Sequence, residues 1–465
     1  MKMKVQIIFE ENGNEFKLEN VVAIERGDIA PSNIGLSLAE SKEIATNIQQ
    51  AFVEQQLEYA MITLRKCPCC LKDRSIKGYH NIIYRTLFGK LSLRSPRLNH
   101  CKCDTSTKSN FSPLASILPE RTSPELLCEE SRLASETSYG MSTKLLARYF
   151  PIKTNKASVY INTHKISTKI EANVKDEQFS FLHDVKSTKE KIPKPCLPLA
   201  VGIDGGFVHA REGGNRKAGW FEVIVGKSIK KDTDSKRFGY VTTYDTKPKR
   251  RLFEMLENQG LDTDQRITFL SDGGDNVRDL QLYLSPNAEH VLDWFHVTMR
   301  ITVINQTLKG LTYDDVAKFE KDVESIKWHL WHGHVPEALD NLEYLVDDFY
   351  ELIPNFNDKD SREYKLWNHA NDLHNYIRNN QNYIINYSDR YLHGEIISSA
   401  FVESTVNELI SKRMVKKQQM RWTKQGAHLL LQVRIKMLND ELDGCFSNWY
   451  PGFKEVNVES MAKAA

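Results

Sequence analysis

Long apolar runs are missing from this 465-residue sequence. No stretch approaches the roughly 20 apolar residues that cross a bilayer, and the charges of "MKMKVQIIFEENGNEF" lie too close to its apolar run for a signal peptide. A large net charge is missing as well, because 63 Lys and Arg nearly balance 61 Asp and Glu. We therefore expect a cytoplasmic globular protein in which any nucleic-acid surface is built by local clusters of Lys and Arg.

Cysteines are few and unevenly spread, with eight in the whole chain. Cys67-x-x-Cys70 is followed, 31 positions after Cys70, by Cys101-x-Cys103. Four thiolates in two close pairs suit tetrahedral Zn²⁺, and in a reducing compartment such a cluster indicates metal rather than disulfides. The strand-like residues between the pairs predict a zinc ribbon. The spare candidate ligands are Cys69, His80 and His100.

The pattern of elements changes at a charged, proline-rich segment, residues 183–198, which predicts a linker. Before it, helical and strand patterns predict three small domains; after it, three strands are followed by alternating helices and strands, which is typical of a mixed α/β domain. The predicted domains are a hairpin and helix at 1–63, the zinc ribbon at 64–110, a helix-turn-helix-like domain at 120–180, and an α/β domain at 199–445 that includes a helical insertion at about 305–392.

Two strands of the α/β domain end in aspartate followed by glycines. "VGIDGG" places Asp204 at the end of the first strand, and "FLSDGG" places Asp272 at the end of the fourth. If these strands are neighbours, both carboxylates lie at one edge of the sheet, where oxygen ligands suit two Mg²⁺ or Mn²⁺ ions acting on a phosphodiester. The glycines would let a DNA backbone approach closely. Asp275 is a rival of Asp272, but it fits better as the N-cap of the next helix.

This arrangement resembles the ribonuclease-H-like fold of polynucleotidyl transferases, which use a third carboxylate on a later helix. The segment "SSAFVESTVNELISKRM" offers Glu403, with Glu395 and Glu408 as nearby rivals. Spacing alone does not decide among the three.

Five segments together resemble the ISKra-four family of bacterial insertion-sequence transposases: "LAVGIDGGFV", "FEVIVGKS", "KPKRRLFE", "FLSDGGDNVRDLQLYLSPNAEHVLDWFHVTMR" and "SSAFVESTVNELISKRM". The likeness runs from the cysteine cluster to about residue 440. It implies a catalytic DDE triad of Asp204, Asp272 and Glu403 and supports zinc on the same four cysteines. It also implies a bacterial cytoplasmic protein that is associated with the nucleoid when bound to DNA.

The segment "DWFH" adds Asp293 and His296 at the end of the fifth strand. It is similar to the C/D-x-x-H element of Mutator-like and hAT transposases. His296 could contact the scissile phosphate, with Asp293 orienting it. The simpler alternative is that Asp293 only caps the following helix.

Basic residues outside this edge are candidate DNA contacts. The third helix of the 120–180 domain could read bases, whereas the later basic runs could contact phosphates or simply be solvated. The predicted contacts are Lys156, Tyr160, His164, Lys247, Lys249, Arg250, Arg251, Lys412, Arg413, Lys416, Lys417 and Arg421. Trp422 is a weaker candidate, for DNA positioning or for packing near the site.

The sequence thus favours a DDE transposase that binds terminal inverted repeats and target DNA as a homodimer or higher oligomer. The three candidate carboxylates favour this enzyme over a DNA-binding protein that has lost the chemistry. Only the family resemblance favours it over a ribonuclease-H-like nuclease without strand transfer.

Overall fold

The computed structural model describes residues 1–11, 14–27, 29–32, 34–103, 110–175, 199–211, 219–231, 233–261, 265–274, 277–278, 280, 288–311, 316–416 and 420–454. The predicted linker at 183–198 lies outside these residues, as do Asp275 and Lys417. The chain divides into two compact units, which are Met1–Lys169 together with Asp440–Ala465, and Ile170–Asn439.

The first unit opens with an antiparallel hairpin of β1 (Lys2–Glu11) and β2 (Asn14–Glu25). The long helix α1 (Leu38–Leu64) follows, and it begins with a reciprocal cap. The Ser37 side chain accepts the backbone N–H of Glu40, and the Glu40 side chain accepts the backbone N–H of Ser37. Both the hairpin and this helix match the sequence-based prediction for residues 1–63.

The cysteine region contains an antiparallel pair, β3 (Ile76–Thr86) and β4 (Gly89–Asn99), to which the short β5 (Asn110–Phe111) adds. Buried Ile82, Leu91 and Leu93 of this sheet form a small core on which α1 packs. The remaining helices of the unit are α2 (Pro113–Ile117), α3 (Pro124–Glu136), α4 (Tyr139–Tyr149), α5 (Lys156–Asn173), whose last residues belong to the second unit, and α14 (Leu442–Trp449).

The second unit is built on a five-stranded sheet in the order β10-β9-β6-β7-β8. The first strand of the unit, β6, is central: it pairs antiparallel with β7 and parallel with β9, and β10 continues the parallel side. The strands are β6 (Leu199–His209), β7 (Trp220–Lys230), β8 (Lys236–Val241), β9 (Ile267–Ser271) and β10 (Glu289–Leu292).

Two apolar cores cover the two faces of this sheet. One face carries Val201, Ile203 and Phe269 and packs against the amphipathic helix α6 (Pro248–Asn258). The other carries Val208 and Val223 and is covered by the C-terminal helices of the unit. Those helices are α12 (Ala400–Val406), which continues as a π-helical segment over Asn407–Val415, and α13 (Lys424–Leu438).

A set of helices stands between β10 and α12 in the chain and has its own apolar core, including Ile304, Leu342 and Leu373. This set overlaps the helical insertion predicted at about 305–392 but begins earlier in the chain, at Trp294. Its members are α7 (Trp294–Leu308), α8 (Val316–Trp331), α9 (Val335–Glu351), α10 (Arg362–Asn380) and α11 (Tyr387–Leu392).

The whole is a mixed α/β structure, as the sequence predicts. None of the helices among the described residues is both long enough and apolar enough to cross a bilayer.

Candidate active site and metal centres

Three aspartates fall at one level on three adjacent strands. The parallel pairing of β6 with β9 ends at Gly202 and Leu270, and Asp204 and Asp272 each follow two residues later in the chain. Leu292 of β10 aligns with Ser271, and the Asp293 N–H donates to the Ser271 carbonyl at 2.9 Å, which continues the pairing to Asp293 and Asp272. The two strands that carry the predicted carboxylates are therefore direct neighbours.

Asp204 stands in a crowded, negatively charged position. The Gly205 N–H donates to its Oδ1 at 2.7 Å. Burial raises the pKa of Asp204 above its ordinary value, and the negative charges of Asp272 and Asp293 act in the same direction. The hydrogen bond from Gly205 and the nearby His296 oppose this rise. A carboxylate held in this way gains stabilisation from a nearby cation.

A cavity of about 160 Å³ opens beside the two aspartates. Phe207 also lines it, and so does a further acidic residue, Glu222. The Glu222 Oε2 accepts a hydrogen bond from the Thr242 hydroxyl at 3.0 Å. Glu222 was not among the sequence candidates, because it lies within a strand, and only the antiparallel register that sets it opposite Phe207 brings it to this cavity.

The loop after β9 is held by the helical insertion. Gly273 adopts φ of +84°, which favours glycine, and the Gly274 N–H donates to Asp272 Oδ1 at 3.1 Å. From α10, the Tyr376 hydroxyl donates to the Asp272 carbonyl at 3.0 Å. Arg278 donates both to the Gly273 carbonyl at 2.7 Å and to Asn380 Oδ1 at 2.6 Å. The position of Asp272 thus depends on residues about one hundred positions away in the chain.

Asp293 is fully buried and already has three hydrogen bonds. Its Oδ1 accepts the N–H groups of Phe295 and Ser399, each at 2.9 Å, and its Oδ2 accepts the Ser399 hydroxyl. Asp293 therefore caps the helix that follows it, as the simpler of the two sequence-based interpretations predicts, since it is the N-cap of α7. In addition, His296 Nε2 lies 3.5 Å from Asp293 Oδ2, so these two side chains are close neighbours.

Glu403 lies on α12, which crosses β6 beside Asp204. Gly202 and Gly206 flank Asp204 on the same face of the strand. A Cβ on Gly202 would lie only 2.1 Å from Val402 Cγ2, and a Cβ on Gly206 would lie 3.0 Å from Ile410 Cδ1. The helix can approach the strand this closely only because both positions are glycine. Glu403 is exposed at this crossing.

Its two rivals are engaged elsewhere. Glu395 pairs with Arg390 at 2.6 Å, and Arg390 also pairs with Glu289, which is at the opposite end of β10 from Asp293. Glu408 lies 3.4 Å from Arg237. Among the three glutamates, only Glu403 has no ion-pair partner in the described part of the chain.

The donor set at this edge fits a divalent cation. Carboxylate oxygens are the ligands that Mg²⁺ and Mn²⁺ prefer. Within the residues that the structure describes, neither Asp204 nor Asp272 is paired with Lys or Arg, so protein cations do not already neutralise them. The ligand oxygens of Asp204, Asp272 and Glu403 do not, however, all lie within 4.8 Å of one another. The structure brings the two aspartates to one cavity and Glu403 to the adjoining helix.

An arginine lies between the members of a second acidic cluster. The sequence did not predict this cluster. The ligand atoms of Glu171, Asp245 and His428 lie within 4.8 Å of one another, a spacing that a metal ion could bridge. Arg251 donates to Asp245 at 2.7 Å and to Glu171 at 2.7 Å, and its Nη2 lies 3.1 Å from His428 Nε2. Because this permanent cation already neutralises the carboxylates, we regard the cluster as a structural charge network.

This network corrects part of the DNA-binding prediction. Arg250 and Arg251 are buried, and Arg250 pairs with Glu254 at 3.0 Å, so neither side chain can reach a phosphate in this structure. Arg413 is also fully buried and lies over the Trp422 ring at 5.1 Å. Trp422 itself is buried, so of its two suggested roles the structure shows packing. For all three arginines, the basic sequence pattern predicted an exposed side chain, whereas the side chain is buried in the structure.

The other predicted DNA contacts differ in exposure. Lys156, Tyr160, Lys412, Lys416 and Arg421 are exposed, whereas Lys247 and Lys249 are half-buried. His164 is half-buried beneath Tyr160, with ring centroids 4.1 Å apart, and burial lowers its pKa, so its ring carries no charge at neutral pH. The exposed residues remain available to DNA.

The four predicted zinc ligands do come together. The ligand atoms of Cys67, Cys70, Cys101 and Cys103 all lie within 4.8 Å of one another, with Sγ–Sγ distances of 3.4 Å for Cys67–Cys103 and 3.5 Å for Cys70–Cys101. The N–H groups of Cys70 and then Cys69 hydrogen-bond to Cys67 and lower its pKa to about 6. This favours the thiolate that zinc requires. The spare candidates Cys69, His80 and His100 are not part of the set.

Comparison with known proteins adds no family. No protein-family model matches the chain, and no curated protein matches it. Among solved structures, the Drosophila P element transposase strand transfer complex is similar at a TM-score of 0.32 and 11% identity, over 69% of this chain and 93% of that one. The crystal structure of NurA with manganese is similar at a TM-score of 0.10 and 12% identity, over 54% and 73%. At these scores neither likeness carries an argument about function.

Proposed function

We propose that this protein is a metal-dependent DNA transposase that cleaves the ends of a bacterial insertion sequence and joins them to target DNA. The proposal rests on one observation: Asp204, Asp272 and Asp293 lie close together at three adjacent strands, and the first two line one cavity. An uncompensated pair of carboxylates at such a point suits two divalent cations acting on a phosphodiester.

The topology of the second unit supports a ribonuclease-H-like catalytic domain. Numbering the strands of this unit from its start, the sheet order is 5-4-1-2-3, and only the second strand is antiparallel to the rest. The first and fourth strands carry Asp204 and Asp272. The helix after the insertion carries Glu403 and crosses the first strand, which is where a third carboxylate of this enzyme class is expected.

Each side chain takes a role that its surroundings support. Asp204, Asp272 and Glu403 would hold Mg²⁺ or Mn²⁺, which when bound supplies activation of the attacking oxygen and stabilisation of the leaving oxygen. His296 is close enough to Asp204 to interact with it electrostatically, and it would donate a hydrogen bond to the scissile phosphate. Asp293, fixed by Ser399, orients that imidazole.

The reaction has two successive in-line displacements at phosphorus. In the first, water attacks a phosphodiester at the end of the element, and the bond to the 3′ oxygen breaks to leave a free 3′-OH. In the second, that 3′-OH attacks a target phosphodiester, a new P–O bond forms, and the target strand's own 3′ oxygen leaves. Neither step forms a covalent bond to the protein.

The remaining parts would serve DNA binding and assembly. We assign the four cysteines a structural Zn²⁺, and α3, α4 and α5 recognition of the terminal inverted repeats. Joining two ends implies a homodimer or higher oligomer on DNA. The resemblance to the ISKra-four family points to the same activity.

A strand-transfer assay with labelled DNA from the element's own end tests the proposal. We expect joined products from the wild type with Mg²⁺ or Mn²⁺, and a loss on the order of 1,000-fold in Asp204→Asn, Asp272→Asn and Glu403→Gln, because each removes a ligand worth several kcal/mol. Glu395→Gln is the matched control and should keep full activity.

The outcomes separate the alternatives. If Glu403→Gln forms joined products as efficiently as the wild type, Glu403 is not part of the active site. Cleavage without joining would indicate a nuclease. Specific DNA binding with no cleavage in either metal would indicate a DNA-binding protein without chemistry, and the proposed function would be wrong.

A further inference from the structure

A row of aromatic rings lies on one face of the β6–β7 hairpin. Phe207 and His209 occupy alternate positions of β6, and Trp220 pairs with His209 across the strands. The His209 and Trp220 rings meet edge-to-face with centroids 4.9 Å apart. Phe207 is 61% exposed and Trp220 is 42% exposed, so large apolar surfaces face solvent here. We call Phe207, His209 and Trp220 the aromatic row.

The aromatic row is continuous with the candidate active site. Phe207 lines the same cavity as Asp204 and Asp272, so the row begins at that cavity and runs away from it along the hairpin. Val208 lies between Phe207 and His209 and is fully buried in the core on the opposite face. This buried valine fixes the register, because a one-residue slip would bury Phe207 and expose Val208.

Positive charge flanks the far end of the row. The Trp422 N–H donates to the His209 carbonyl at 2.9 Å, and the Arg211 N–H donates to the Trp422 carbonyl at 2.8 Å. This short backbone pairing places exposed Arg211 and Arg421 next to the aromatic row. Glu222, an acid among the described residues of this face, is opposite Phe207 and accepts from the Thr242 hydroxyl, at the end nearest the cavity.

The spacing and exposure suit unpaired nucleotides. Alternate residues of a strand are about 7 Å apart, twice the roughly 3.4 Å between stacked bases, so a base can lie on or between these rings. Exposed aromatic rings bordered by basic side chains commonly bind single-stranded nucleic acid, because every base has a π-face that can stack on a ring. In an intact duplex the bases are stacked inside, and the rings would find no partner.

We propose that the aromatic row binds unpaired nucleotides of a DNA strand by stacking, next to the scissile position, while Arg211 and Arg421 contact its phosphates. The inference deepens the proposed function and rests on it for the identity of the neighbouring cavity. The row would hold the cleaved or frayed strand end so that its terminal oxygen stays beside the carboxylates.

Binding without catalysis tests the aromatic row. The full-length protein, without Mg²⁺, is titrated into a single-stranded oligonucleotide that carries one 2-aminopurine, and its fluorescence is followed. We expect stacking to quench the base. We also expect Phe207→Ala and Trp220→Ala each to weaken binding about 10-fold, because each ring contributes roughly one stacked base. Phe207→Tyr and Trp220→Phe keep a ring and should bind as the wild type does.

Tyr344→Ala is the matched control, since Tyr344 is 73% exposed on α9 and lies outside the row. It should leave the affinity unchanged, and duplex affinity should be equal in all variants. Unchanged affinity and quenching in both Phe207→Ala and Trp220→Ala, with native circular dichroism, would overturn the proposal. Because this assay needs no cleavage, a negative result does not contradict the proposed function. Carboxylate variants that no longer cleave DNA should still bind the oligonucleotide.

Discussion

At the scale of single residues, the second unit contains two acidic clusters with opposite fates. Asp245 and Glu171 surround Arg251, so their charge is neutralised within the protein. Asp204 and Asp272 have no such cation among the described residues, and burial raises the pKa of Asp204. The presence or absence of one arginine therefore separates a cluster that stabilises the fold from one suited to metal.

The network around Arg251 makes stability depend on pH. Burial alone would raise the pKa of Glu171, but hydrogen bonds from His428 and Arg251 outweigh it and lower the pKa to about 2. Because the folded value lies below the unfolded value of about 4.3, this stabilisation is present above that value and is lost as the pH falls toward 2. Glu171→Gln should therefore lower the free energy of unfolding by about 2 kcal/mol at pH 7 and by roughly half as much at pH 3, measured by urea denaturation.

Glu257→Gln on α6 is the control for this prediction. Glu257 is exposed and its side chain has no ion pair in the described structure, so its substitution should leave the urea midpoint unchanged at either pH. An equal loss of stability at pH 7 and pH 3 in Glu171→Gln would mean that the effect comes from packing and not from charge.

At the scale of elements, the closest contact at the candidate active site is that of α12 with β6. A Cβ on Gly202 would lie 2.1 Å from Val402 Cγ2 and 2.8 Å from the Phe401 ring, far inside normal contact. Gly202→Ala must therefore displace the helix that carries Glu403. We expect DNA cleavage to fall about 10-fold or more, with about 1–3 kcal/mol of lost stability from overpacking.

A double substitution checks that geometry is the cause. Val402→Ala removes the nearest atom, so Gly202→Ala/Val402→Ala should recover part of the cleavage activity lost in the single variant. Gly444→Ala, where no atom lies within 4 Å of the added Cβ, should behave as the wild type. If the double variant is no more active than Gly202→Ala, displacement of α12 is not the reason for the loss.

The helical insertion also reaches the candidate active site, through the Tyr376 hydroxyl on the Asp272 carbonyl. Groups behind a metal ligand typically change metal affinity 10- to 100-fold. Tyr376→Phe should thus raise the Mn²⁺ concentration for half-maximal cleavage about 10-fold and change the maximal rate less. Tyr364→Phe removes a hydroxyl from the same helix away from this loop and should leave the Mn²⁺ dependence unchanged. The same Mn²⁺ curve for both variants would contradict the positioning role.

These elements also mark how far sequence reasoning reaches. The ends of β9 and β10 at Asp272 and Asp293 were predictable, because apolar runs that stop at an aspartate are local signals. The predicted strand end at Asp204 was wrong, since β6 continues through the two following glycines to His209 and pairs with β7 over its whole length. The burial of Arg251 was not predictable, because its partners Asp245, Glu171 and His428 are separated by up to 257 positions and meet only in the folded unit. Glu222 was missed for the same reason, since an acid inside a strand resembles any solvated position until its neighbouring strand is known.

At the scale of the whole molecule, the cysteine cluster is the part of the first unit that we expect to bind an ion. One cysteine pair precedes β3 and the other follows β4, so Zn²⁺ would tie together the two ends of this sheet. A structural zinc contributes folding free energy directly. We expect about one zinc per chain in the purified protein.

Cys67→Ser and Cys101→Ser should each abolish zinc binding and lower the melting temperature of the full chain by more than an ordinary substitution of about 1 kcal/mol would. A chelator added to the wild type should produce the same loss, because it removes the ion and not a side chain. Cys69→Ser, which lies beside the cluster but is not one of the four grouped ligands, should keep both zinc and melting temperature. Elemental analysis alongside thermal denaturation measures both quantities. A wild type without zinc, or a Cys69→Ser variant that loses it equally, would show that the four thiols do not form the site.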